Sequence, residues 1–81
     1  MKKSWTHKYN ESTIVVNNSW FGGCELWVDG QLQDKKTGVT DESDLRGKLE
    51  SGEEIKASLG GAITIKCSLF INNRLQNPLP K

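Results

Sequence analysis

The chain has 81 residues, 35% of them hydrophobic and 26% charged, with eleven basic residues against ten acidic ones for a net charge of +1. That is one domain's worth of chain with an ordinary apolar content, so a folded domain is expected and a disordered one is not. The charge balance argues against the basic surface of a sequence-independent nucleic-acid binder, and no apolar run approaches the roughly 18 residues of a membrane-spanning helix.

The N-terminus opens Met-Lys-Lys-Ser-Trp-Thr-His-Lys-Tyr-Asn. No apolar stretch follows the two lysines, so no signal peptide is predicted and the cytoplasm is the expected location. Residues 1–12 are polar apart from Trp5 and Tyr9. A loose N-terminal arm is predicted, or a short edge strand if those rings dock.

Ser12 to Asn18 is rich in β-branched residues and ends in turn formers, which predicts the first strand. Trp20 and Phe21 lead into the joint Gly22-Gly23. From Cys24 the chain alternates. Cys24, Leu26 and Val28 fall on one face, with Glu25 and Trp27 on the other, as in a half-buried strand. Asp29-Gly30 signals a type I′ hairpin, whose central residues both take positive φ. The return strand is placed at about Gln31 to Lys36.

Thr37 to Asp44 is polar and acidic and is read as the longest loop. Leu45 to Glu50 alternates again, with Leu45 and Leu49 on one side. Ser51-Gly52 turns the chain. Glu53 to Leu59 then puts Ile55, Ala57 and Leu59 inward. After Gly60-Gly61, Ala62 to Asn72 reads as the longest strand, with Ile63, Ile65, Cys67, Leu69 and Ile71 on its inner face and Phe70 on its outer one. Asn72-Asn73 takes the place of the Asp-Gly turn. A short pairing segment, Arg74 to Gln76, precedes Pro78 and Pro80, which are expected to end the sheet.

The two hairpins repeat. Cys24-Glu25-Leu26-Trp27-Val28-Asp29-Gly30-Gln31-Leu32-Gln33 returns as Cys67-Ser68-Leu69-Phe70-Ile71-Asn72-Asn73-Arg74-Leu75-Gln76. With no helical period anywhere, the pattern predicts a single all-β domain, a small antiparallel β-sandwich of six or seven strands. A small closed barrel is the alternative.

The runs Trp27-Val28-Asp29-Gly30-Gln31, Leu45-Arg46-Gly47-Lys48, Ile55-Lys56-Ala57 and Leu69-Phe70-Ile71-Asn72-Asn73 resemble the strand–Val-Asp-Gly–strand layout of the Fas apoptotic inhibitory molecule family. The resemblance spans residues 20–76. It implies an antiparallel β-sandwich that acts through protein contacts, without catalysis. The chain departs from that family's greater length and two-domain plan, and no functional residue is carried across.

No residue set forms a catalytic, cofactor or metal site in the sequence. His7, the single histidine, has no nucleophile beside it, and Cys24 and Cys67 fall on core-facing positions where thiols are normally inert. The two cysteines are equivalent in the repeat, which leaves free thiols and a disulfide both open. Asp41, Glu42 and Asp44 lack the order of a calcium loop. The candidate binding face is aromatic: Trp27 and Phe70, both outward by alternation, with Trp20 and Trp5 nearby. Such rings suit a protein partner or a homodimer. A carbohydrate or other small polar ligand is the alternative. A single-stranded nucleic acid, stacked on Trp20, Phe21 and Trp27, is a weaker reading because it needs a basic groove beside the rings.

Overall fold

A computed structural model describes residues 2–19, 23–36, 42–60, 66–76 and 79–80. The chain is all-β, with nine strands and no helix among these residues. They are β1 (Lys2–Tyr9), β2 (Ser12–Ser19), β3 (Gly23–Val28), β4 (Gln31–Lys36), β5 (Glu42–Lys48), β6 (Glu54–Gly60), β7 (Lys66–Ile71), β8 (Arg74–Gln76) and β9 (Leu79–Pro80). Two antiparallel sheets form, ordered β4-β3-β2-β1-β9 and β5-β6-β7-β8. They pack face to face as a sandwich and do not close into a barrel.

Alternation sets the inner faces. Ile14, Val16, Cys24, Leu26 and Val28 from the first sheet meet Leu45, Ile55, Ala57, Leu69 and Ile71 from the second, all buried. Side chains on successive residues of a strand point to opposite faces, so a strand with every second residue apolar must bury one face against another layer.

The hairpins form as their turn residues dictate. Asp29 and Gly30 have φ of 49° and 80°, and Asn72 and Asn73 have φ of 50° and 65°. Aspartate and asparagine tolerate this left-handed region because their short polar chains bond locally. The Asp29 carboxylate accepts a hydrogen bond from the Thr13 amide (2.8 Å) while the Asp29 amide donates to the Thr13 carbonyl (2.9 Å). Asn72 does the same with Glu54, at 3.0 and 2.9 Å.

That match extends along both chains of strands, because β1–β4 and β5–β8 are two copies of one four-stranded meander. Trp5 pairs with Val16 as Leu45 pairs with Ala57, and His7 with Ile14 as Gly47 with Ile55. Val16 opposes Leu26 as Ala57 opposes Leu69. Trp27 opposes Leu32 as Phe70 opposes Leu75.

The sequence expectations meet several corrections here. Residues 1–12 are not a loose arm. Lys2–Tyr9 is an eight-residue strand paired with all of β2, and β9 covers part of its other side. The reason is that Trp5, His7 and Tyr9 share the inner face. Trp5 is buried, Tyr9 packs against the core, and His7 between them breaks the apolar alternation that would announce a strand. The acidic segment yields a strand from Glu42 onward, while 37–41 lies outside the described residues. The predicted strand from Ala62 is described only from Lys66. Pro80 does not end the sheet but pairs with Trp5 at its edge, where a residue without an amide proton is tolerated.

Candidate binding faces

Register, more than sequence distance, decides which outward side chains share a surface. On the five-stranded sheet, Thr6 opposes Val15, Val15 opposes Trp27, and Trp27 opposes Leu32. These four side chains make one row across the outer face. Leu32 is 46% exposed, while Thr6, Val15 and Trp27 are half-buried. The row is apolar apart from the threonine hydroxyl.

The next row, Ser4, Asn17, Glu25 and Lys35, is polar, and its members pair with one another. Ser4 Oγ donates to Asn17 Oδ1 at 2.7 Å, and Lys35 Nζ lies 3.9 Å from Glu25 Oε2. The Trp27 indole Nε1 donates to Glu25 Oε1 at 3.3 Å, which ties the ring to the neighbouring polar row. The polar groups of this row are thus satisfied internally and its charges balance, while Lys8, one row beyond Thr6, is exposed.

The equivalent row on the four-stranded sheet is Arg46, Lys56, Phe70 and Leu75. Leu75 is 64% exposed and Phe70 half-buried. Here two cations stand where the other sheet has threonine and valine. An open groove of about 540 Å³ lies at this surface, lined by Arg46, Lys48, Glu54, Lys56, Phe70 and Asn73, and also by Gly47, Ile55 and Gln33 of β4.

The aromatic candidates therefore scatter. Trp27 and Phe70 are both outward, but on opposite outer surfaces of the sandwich, so they do not form one face. Trp5 is 7% exposed and belongs to the core, which removes it from any binding surface. Trp20 lies outside the described residues. Sequence reasoning missed Leu32 and Leu75, the two exposed large hydrophobic residues among those described. The signal was present: each follows its aromatic by five positions in the repeat, which is where a two-residue turn brings a cross-strand partner.

Two corners join the sheets. At one, the β4 backbone carries a bulge opposite Leu26 and Trp27 that inserts Gln33. The bulge turns Asp34 so that its carboxylate accepts from the Arg46 amide at 2.9 Å and the Lys35 amide at 2.8 Å. Gly47 sits against this bulge: a β-carbon there would fall 2.9 Å from Gln33 Cβ and 3.2 Å from Leu26 Cδ2. At the other corner His7 Nε2 lies 3.1 Å from Gln76 Oε1.

Cys24 and Cys67 are free thiols. Burial pushes the Cys67 thiol up to about 11, so it stays protonated at neutral pH. His7 is engaged with Gln76, and Cys24 lies four residues along β3 from Val28, the residue in register with His7 through Ile14, roughly 13 Å away along the strand. Among the described residues no three of His, Cys, Asp and Glu gather in a way that would hold a metal ion. No family model, no curated protein and no solved structure matches the chain.

Proposed function

We propose that this domain is a non-catalytic protein-contact module whose copies pair through the outer face of the five-stranded sheet. The observation that supports it is the row Thr6–Val15–Trp27–Leu32, an apolar stripe across four strands beside polar groups already paired with one another. Such a stripe loses little on leaving water because it carries no charge itself; Lys8, one row from Thr6 on the same face, is exposed near the β1–β2 turn, where its long side chain can keep its ammonium in water.

Charge favours a second copy as the occupant. A two-fold interface sets a face against itself, so a face of one sign repels its own copy. Glu25 beside Lys35 balances the row next to the stripe, and the one further described cation, Lys8, stands at the end of the face near the β1–β2 turn. The extent of the face is modest: four strands spaced about 4.8 Å and some six residues long give about 400 Å² per copy. Twice that area falls below the usual range for stable complexes, so a weak, concentration-dependent dimer is expected.

Light scattering across a concentration series tests this. The native chain should rise toward twice its monomer mass, and Leu32→Lys, at an exposed position, should hold it monomeric with its thermal transition unchanged. A native chain that stays monomeric to millimolar concentration overturns the proposal.

A further inference from the structure

We infer that the groove on the opposite sheet is a second, independent binding site, and that its occupant is an extended acidic peptide segment of the form acidic–any–apolar. Arg46, Lys48 and Lys56 line it with Glu54 as the one carboxylate among its lining residues, and Phe70 forms its apolar end with Leu75 beyond. Among the described residues the one salt bridge of the chain is Glu25–Lys35, on the other sheet. Among the described side chains, no carboxylate lies within ion-pair distance of the groove's three cations.

The nearby carboxylates lie beside the groove and are held by other donors, though Asp44 keeps its charge and is felt by Lys56 and Arg46. Asp44, one row along from Arg46 and Lys56, accepts from Ser58 Oγ at 2.6 Å, and Asp34 accepts from two backbone amides. Glu54 faces Lys48 across the β5–β6 ladder without forming an ion pair.

Spacing selects the motif. Neighbouring strands lie about 4.8 Å apart, so a point between Arg46 and Lys56 is about 7 Å from the line of Phe70. An extended chain places side chains of one face about 6.6–6.8 Å apart, at alternate residues. A segment crossing the strands with its carboxylate between Arg46 and Lys56 thus sets the second residue after it over the Phe70 ring. A fourth residue on the same side reaches Leu75. The groove is partly open to solvent, and a small ligand usually needs fuller enclosure than this.

A nucleic acid fits less well. The chain as a whole carries +1, so nothing draws a polyanion from a distance, and Leu75 offers an aliphatic contact where a second base would need a ring.

The test is fluorescence polarisation with a labelled synthetic peptide, Ser-Glu-Ser-Leu-Ser-Leu, blocked at both ends. It should bind the native chain saturably and more weakly as salt rises. Replacing its glutamate by glutamine, or moving the glutamate next to the first leucine, should weaken it. The double variant R46E/K56E should lose about tenfold or more, while its molar-mass curve stays that of the native chain. That last readout separates this site from the proposed dimer face: either can fail alone. The inference is overturned if the peptide does not bind, if R46E/K56E binds it as the native chain does, or if a labelled oligothymidylate binds more tightly and displaces it.

Discussion

The outer row of the first meander reads Thr6, Val15, Trp27, Leu32, and that of the second reads Arg46, Lys56, Phe70, Leu75. The aromatic and the leucine are kept, on adjacent strands of one hairpin. The two positions beside them change from neutral to cationic. The inner faces gain no charge in this way, and away from the first strands they are largely kept: Ile14 and Ile55, Leu26 and Leu69, Val28 and Ile71 are buried in the same register. Packing constrains the inner set because interiors are close-packed and every methylene is felt. The outer set meets water, where a cation costs nothing to place, so the same scaffold presents a neutral stripe on one side and a charged groove on the other.

The largest expected effect probes the part that is shared. Leu26→Ala and Leu69→Ala remove equivalent, fully buried side chains, and each should lower stability by about 2–5 kcal/mol in urea unfolding. If one costs less than about 1 kcal/mol, the two halves are not packed alike and the equivalence fails.

Next come the corners, which should respond unequally. Gly47→Ala drives a β-carbon into the Gln33 bulge and should cost about 1–3 kcal/mol. His7→Ala, at the equivalent position of the first meander, gives up one part-buried hydrogen bond to Gln76 and should cost about 0.5–1.5 kcal/mol. Equal losses by the same unfolding assay would mean that the bulge gives way freely.

The smallest effect concerns pH. Ser4 and Asn17 form a neutral hydrogen bond where the second meander has Asp44 and Ser58. The Ser58 hydroxyl holds the Asp44 carboxyl below its ordinary value of 3.8, with Lys56, Lys36 and Arg46 adding to the effect. A depressed acid stabilises the fold above its unfolded value and loses that contribution as pH falls through its folded one. The Asp44–Ser58 bond should therefore weaken only below about pH 4, and modestly, because the site is exposed. An NMR titration should show the Asp44 carboxyl moving up toward 3.8 in Ser58→Ala, whereas the loss in Asn17→Ala should be the same at pH 3 and pH 7. An unchanged Asp44 titration in Ser58→Ala would show that the cations alone set it.

Much of the second meander and half of the first were legible in the sequence. Gln31–Lys36 forms the strand placed there, because Asp29-Gly30 fixes the turn and the first pairs after it, up to the Gln33 bulge. The inward set Cys24, Leu26, Val28 and Ile55, Ala57, Leu59 was readable from period-two alternation, and all six are buried. The first strand was not. Trp5-Thr6-His7-Lys8-Tyr9 and Leu45-Arg46-Gly47-Lys48-Leu49 occupy equivalent places but share only the lysine. An imidazole and a glycine stand at the inward centre of each, and only the partner across the corner, Gln76 or Gln33, shows why either is accepted.

For the candidate sites the sequence determined that Trp27 and Phe70 point outward, since that follows from local alternation alone. It also held Leu32 and Leu75 at their sides through the repeat. Which surface each pair belongs to was decided by the tertiary structure. Two hairpins of one pattern can lie in one sheet or in two. The choice depends on how four-stranded units bury their inner faces, a long-range event that leaves no mark at the hairpins. The duplicated meanders bury those faces against each other, which turns the two aromatics to opposite sides and gives each its own neighbours: threonine and valine for Trp27, arginine and lysine for Phe70.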